Sequence, residues 1–234
     1  MGEEKIAIIG GTGDLGFGLA LRWARAGVPV VVGSRDPSKA REAAQRVGET
    51  IKQHAPTESG RVSVSGLENA EAAAQASFVV LAVPITAQVE ILKSIRGSLR
   101  DCILVDATVP LAAALGGKPT RLLKLWQGSA AGQTRELVPA TIPVLAAFHN
   151  VSAVVLQNLA ATPDCDILTC GDDESAKQTL FRFVKLIPGL RPVDAGPLEM
   201  SGIVEGLTAL LISVNRRYRV HHSGIRITGL EGKA

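Results

Sequence analysis

An apolar run that breaks into spaced glycines and resumes as a helix restricts what a chain can fold into more than any bulk property does. Ile6, Ala7, Ile8 and Ile9 form such a run, and Gly11, Gly13 and Gly16 follow with the spacing G-x-G-x-x-G. Leu15, Leu19, Leu21, Trp23 and Ala24 then continue at helical intervals. The glycines therefore fall at a strand-to-helix turn, the context that separates a dinucleotide fingerprint from a chance cluster. Backbone crossing a pyrophosphate has no room for Cβ atoms, which accounts for Gly11 and Gly13, while Gly16 lets the helix lie close to the strand. The helix start, with Asp14 and Leu15, directs its free amides at the phosphates, and Thr12 adds a hydroxyl.

The end of the second strand selects the nucleotide. NAD-binding domains place Asp or Glu there, about 20 residues past the glycines, for the ribose hydroxyls. This chain reads VVVGSRDPSKA, with Ser34 and Arg35 at that place and Lys39 a helical turn later. A planar guanidinium, a hydroxyl and an ammonium suit a 2′-phosphate, so NADP(H) is expected over NAD(H). Asp36-Pro37 reads as a helix cap, which is compatible with a phosphate site.

Further apolar runs recur with helical stretches between them. They are Pro29 to Gly33, Arg61 to Ser65, Ser77 to Val83, Cys102 to Asp106 and Ile142 to Phe148, with helices over Pro37 to His54 and Ala87 to Leu99. Such alternation implies βαβ units and a Rossmann-type, doubly wound parallel sheet over residues 1–150. Leu111 to Gln133, with Gly116-Gly117, Pro119 and QGSAAG, reads as an irregular connection. Residues 151–234 read as a smaller C-terminal α/β domain: helix Val151 to Ala160, strand Asp166 to Cys170, helix Glu174 to Ile187, strand Arg191 to Asp194 and helix Ser201 to Arg217. The last helix aligns Ile203, Val204, Leu207, Leu210, Leu211 and Val214 on one face, a core or dimer seam.

A second ligand belongs beyond the carboxyl ends of the strands. Val83 and Pro84 end one strand and would border a nicotinamide; His149 and Asn150 end another and could orient a carbonyl or a ring edge, or His149 could be purely structural. Asp106 reads as a strand end rather than a catalytic carboxylate. No nucleophile signature or metal-ligand spacing occurs, and His221-His222 is not a zinc motif. Cys102, Cys165 and Cys170 read as buried free thiols, and every apolar stretch looks too short or too charged to span a bilayer, so a cytoplasmic protein is expected. Net charge is +3, with Arg216, Arg217, Arg219, His221, His222 and Arg226 crowded together. Aromatic residues are too scarce to form stacking platforms for nucleic acid. On these grounds an NADPH-dependent reductase is expected, acting on a flavin, a metal chelate, an imine or another acceptor, with a non-catalytic NADPH sensor as the other reading.

The segments GGTGDLGFGLALR, VVVGSRDPSKA, CGDDESAKQ, GLRPVDAGPL and VEGLTALLISVNRR together resemble the NADPH-dependent reductases of the deazaflavin coenzyme F420 (F420H2:NADP oxidoreductases), nearly end to end. The resemblance implies reversible hydride transfer between NADP(H) and F420 with the two rings stacked, no side-chain nucleophile, and a homodimer. It implies NADP contacts at Thr12, Ser34, Arg35 and Lys39, and a deazaflavin border at Val83 and Pro84. It further implies a C-terminal segment with Gly224 and Ile225 near the same site, and a basic stretch available to the coenzyme's acidic tail. PITAQ after Val83, and the 111–133 segment, depart from the family pattern.

Overall fold

Residues 4–54 and 62–230 are described here from a computed structural model. The chain runs β1 (Ile6–Ile9), α1 (Asp14–Arg25), β2 (Val30–Ser34), α2 (Pro37–His54), β3 (Val64–Glu68), α3 (Asn69–Ala74), β4 (Phe78–Leu81), α4 (Ile85–Ile95) and β5 (Ile103–Asp106). It continues with α5 (Ala130–Leu137), β6 (Val144–Ala146), α6 (Ala153–Gln157), β7 (Cys165–Gly171), α7 (Glu174–Lys185), β8 (Leu190–Asp194) and α8 (Ser201–Tyr218). The strands form one eight-stranded sheet in the order β3-β2-β1-β4-β5-β6-β7-β8. Strands β1 to β6 are parallel, as expected of the doubly wound class.

Both faces of β1 and β4 are covered, which is why IAII and FVVL are continuous apolar runs rather than alternating ones. On one face Trp23 of α1 meets Phe148 edge-on at 5.7 Å and donates from Nε1 to the Phe183 carbonyl of α7 at 2.9 Å. On the other, Ile91, Leu92 and Ile95 of α4 pack beside Leu104, Val144 and Val204. Each large aromatic side chain buried there removes apolar area at roughly 25 cal/mol per Å2.

Residues beyond 150 extend this same sheet. β7 meets β6 antiparallel, with Leu145 opposite Gly171 and Ala146 opposite Cys170, and β8 follows β7 in parallel as the edge strand, with Pro192 in its middle. Arg22 of α1 crosses to the second half, its guanidinium donating to the carbonyls of Val155, Leu156, Asn158 and Ala161 at 2.7–2.8 Å. A cation at a helix C-terminus is the favourable sign, and it holds the chain as it leaves the helix. The helix expected over Val151 to Ala160 is accordingly short, five residues.

Other expectations shift. The strand expected at Arg61 to Ser65 lies at Val64–Glu68, and Arg61 itself falls outside the described residues. QGSAAG does not break structure: Ser129 caps α5, its Oγ accepting the Gly132 amide at 2.8 Å. Against the expectation that every apolar stretch is too short or too charged to span a bilayer, the helix Leu198–Tyr218 is long and apolar enough by length and composition alone, at a mean hydropathy of 1.3. Its inward side carries polar groups bonded to protein, Ser201 to Ser129 and Glu205 to the amides of Ala130 and Ala131, as a sheet-packed helix does. The stripe expected along this helix is divided: Val204 is buried, whereas Ile203 and Leu210 are 65% and 56% exposed.

The C-terminal segment doubles back. Asn215 Oδ1 accepts the Ser223 amide and hydroxyl, and Ile225 O accepts the Asp166 amide at 2.8 Å. The Asp166 carboxylate accepts Arg191 Nε and NH2, Arg226 NH1 and the Ile227 amide at 2.6–2.8 Å. Despite burial, these donors draw its carboxyl down to about 2. Leu230, the last described residue of the segment, lies beside Pro192 and Val193.

Candidate functional site: a crevice at the β1/β4 switch point

Strand order reverses between β1 and β4, so the helices that follow them diverge and leave a crevice above their carboxyl ends. A cavity of about 530 Å3 lies there, walled by the glycine loop, the end of β2, the start of α3 and the first turns of α4. Gly10, outside the expected triad, is the tightest point of the loop. It adopts φ +81°, and a Cβ there would lie 2.4 Å from the Ala82 carbonyl. Its amide and that of Gly11 both donate to Gly33 O, at 3.1 and 3.2 Å, pinning the loop to β2.

The triad glycines divide their tasks. At Gly11 a Cβ would lie 2.9 Å from Ile8 O and 3.0 Å from Val32, so its constraint is packing onto the strands rather than ligand approach. At Gly16 it would meet Gly10 O at 2.7 Å, the close helix-to-loop packing expected. Gly13 alone faces the cavity with almost free space, its nearest atom 3.4 Å away. It also begins α1 with no side-chain cap, leaving the helix start to an anion.

Thr12, Ser34, Arg35 and Lys39 converge on this cavity. Ser34 is almost buried at the end of β2 and its Oγ accepts the Asp36 amide at 3.2 Å, which leaves its hydroxyl proton to donate. Asp36 performs the capping expected of it, Oδ1 accepting the Ser38 amide at 2.9 Å and the Ser38 hydroxyl at 2.5 Å. These bonds hold its carboxyl below the usual range. Cap and cationic corner thus coexist. Val83 is buried and Pro84 is the exposed N-cap of α4; both line the same cavity, with Ala87 and Ile91 continuing the apolar wall.

Asp14, Leu15, Gly11 and Gly16 support the loop from behind and do not line the cavity. His149, Gly224 and Ile225 lie elsewhere. His149 is 4% exposed, follows Phe148 at φ +68°, and has neither ring nitrogen bonded. Burial lowers its pKa to about 4, so the ring is neutral at physiological pH. Gly224 packs on Cys165 and borders a second cavity of about 310 Å3 between α6 and the C-terminal segment. Arg226, one of the crowded basic residues, is committed to Asp164 and Asp166. Asp106 is fully buried and accepts Gln88 Nε2 at 2.7 Å, Thr108 N at 2.7 Å and the Thr134 hydroxyl, as befits a strand-end anchor. Burial raises its pKa. Cys102, Cys165 and Cys170 are free and buried.

The match to known proteins decides the family. Residues 5–110 match the family model described as NADP oxidoreductase, coenzyme F420-dependent. The chain is 46% identical over 229 residues to the F420-dependent NADP reductase of Methanothermobacter thermautotrophicus, covering 97% of this chain and 95% of that one. The chain belongs to the F420-dependent NADP reductase family. The reductase of Methanocaldococcus jannaschii is 43% identical over 227 residues, covering 97% and 99% of the two chains. A solved structure from Arthrobacter sp. FB24, described as an F420-dependent NADP-reductase, superposes with a TM-score of 0.77 at 22% identity, covering 95% and 98%. That likeness is one of fold. Its coverage of both halves agrees with the sheet continuing through β8.

Gly10, Asn69, Glu90 and Ile91 line the cavity and escaped the sequence reading; two of them shape it. Gly10 precedes the fingerprint and carries no motif of its own. Asn69, 1% exposed at the start of α3, lines the cavity with Oδ1 unbonded; its signal is an Asn at a strand-to-helix junction, too common to single out.

Proposed function

We propose that the protein transfers a hydride reversibly between NADP(H) and the deazaflavin coenzyme F420. The observation that carries this reading is 43–46% identity to F420-dependent NADP reductases over 97% of the chain. The crevice supports it, since an uncapped helix start, a glycine loop and a corner of Ser34, Arg35 and Lys39 match the chemistry of a 2′-phosphorylated dinucleotide.

In this reading the start of α1 and Thr12 hold the pyrophosphate, the corner holds the 2′-phosphate, and Val83 and Pro84 present an apolar edge against which the nicotinamide lies. The bound nicotinamide and deazaflavin supply the hydride chemistry themselves. The chain's part is to set the rings face to face and exclude water. His149, neutral and buried, and Gly224 and Ile225, all outside the crevice, are the residues this reading assigns to the acceptor side. Residues 1–150 form the nucleotide half; residues 151–234 complete the acceptor site and, through the exposed Ile203 and Leu210 stripe, join a homodimer. The protein works in the cytoplasm on a small molecule, without metal, nucleic acid or membrane.

An anaerobic mixture of protein, NADPH and oxidised F420, followed by the deazaflavin's visible absorbance, tests the reading. Bleaching with NADPH and none with NADH or with a simple flavin is the expected result. NADPH binding without bleaching would overturn the acceptor and favour another reductase or a sensor.

A further inference from the structure

Among the described residues lining the crevice, one buried side chain has a polar atom with no partner. Asn69 is 1% exposed and its Oδ1 makes no hydrogen bond. It does not cap its own helix, because Glu68 Oε2 takes the Ala70 amide at 2.7 Å. A buried carboxamide with an unsatisfied end is costly in the free protein, so the site is organised for a group that arrives with a ligand.

The position narrows what that group is. A Cβ on Gly33 would lie 3.0 Å from Asn69 Oδ1, so the missing side chain at 33 is what lets the carboxamide lie against the end of β2. Gly33 immediately precedes Ser34, and Arg35 follows, both in the cationic corner of the same cavity. Resting on the proposed NADP(H) reading, which puts the 2′-phosphate in that corner, the nearest ligand group is on the adjoining ribose carbon. The two carboxylates on the cavity wall differ from Asn69: Asp36 is engaged with Ser38, and Glu90 is exposed to water.

We infer that the Asn69 carboxamide hydrogen-bonds the 3′-hydroxyl of the adenosine ribose of bound NADP(H), reading the sugar beside its 2′-phosphate. A hydroxyl both donates and accepts, so it suits either end of a carboxamide, and a half-turn about χ2 exchanges those ends. The adenine amine only donates and the phosphate only accepts. Asn69 thereby acts as a specificity residue for the ribose, separate from the charges that select NADP(H) over NAD(H).

Titration of NADPH and 3′-deoxy-NADPH, read from nicotinamide fluorescence without F420, tests this on wild type and Asn69→Ala. Wild type should bind the deoxy form about three- to tenfold more weakly, the scale of one neutral hydrogen bond. Asn69→Ala should bind both forms alike, at the wild-type level for the deoxy form, and the ligand-free thermal midpoint should not fall. If Asn69→Ala fails to fold, Asn69→Ser, too short to reach, takes its place with the same expectation. Equal binding of both forms by wild type, or undiminished discrimination in the variant, overturns the inference. Loss of discrimination against 1,N6-etheno-NADPH instead moves the contact to the adenine and also overturns it. Failure of wild type to bind NADPH at all would sink the nucleotide reading itself, an outcome distinct from the others.

Discussion

Glu205 on α8 accepts the backbone amide of Ala130 at the start of α5 at 2.9 Å, so a buried carboxylate stands where a helix favours an anion. Burial outweighs that favour, and with Asp106 nearby the carboxyl is pushed up from 4.5 to about 8. A raised acid keeps its proton in the folded state after the unfolded chain has released it. Its contribution is therefore whole below pH 4.5 and lost as pH rises toward 8. Glu205→Gln should flatten the decline in thermal midpoint across that window, measured by calorimetry at several pH values. An unchanged slope would mean the carboxyl is not held protonated.

Gly10 and Gly13 should separate folding from binding. Gly10→Ala forces a Cβ to within 2.4 Å of Ala82 O at a positive φ and should cost roughly 2–4 kcal/mol of stability. Gly13→Ala has almost free space and an extended backbone, φ −81° and ψ 165°. It should melt like wild type while binding NADPH at least tenfold more weakly, since its methyl enters the cavity. Denaturant unfolding beside a binding titration distinguishes the two.

Arg35→Ala should weaken NADPH binding roughly tenfold to a hundredfold, the range of a charge-assisted hydrogen bond, and leave NADH nearly unchanged. Equal losses for both nucleotides would place the guanidinium somewhere other than the 2′-phosphate.

His149 governs part of the acid limb. Burial depresses its pKa from 6.5 to about 4, so the unfolded chain takes up a proton that the folded chain refuses. Its contribution is present above pH 6.5 and lost as pH falls toward 4, at up to about 1.4 kcal/mol per pH unit. His149→Phe should reduce that slope by close to one proton in urea melts between pH 6.5 and 4.

The first half of the fold was legible because its signals are local: IAII followed by glycines, VVVGS followed by a cap, each strand buried on both faces. The direction in which β7 joins was not, because a strand–helix alternation reads the same whether the next strand is parallel or reversed. Ser129 was a cap in plain view, but the glycines around it suggested a loop. The short α6 depends on a distant partner, Arg22, that no window of sequence contains. Within the crevice, charge pattern pointed to Ser34, Arg35 and Lys39, whereas Asn69 became conspicuous only through its burial and missing partner.

The Asp166 clamp lies on β7, beside the last strand of the sheet among the described residues. Among the described residues β8 is the last strand in the sheet order, and a strand edge is a template for another chain; Pro192 removes one donor and Leu230 lies beside it. The last residues thus serve colloidal behaviour as well as shape. Cutting the chain before Gly224 would free that edge, and the first symptom should be association in concentrated solution, detectable by light scattering before any change at the crevice.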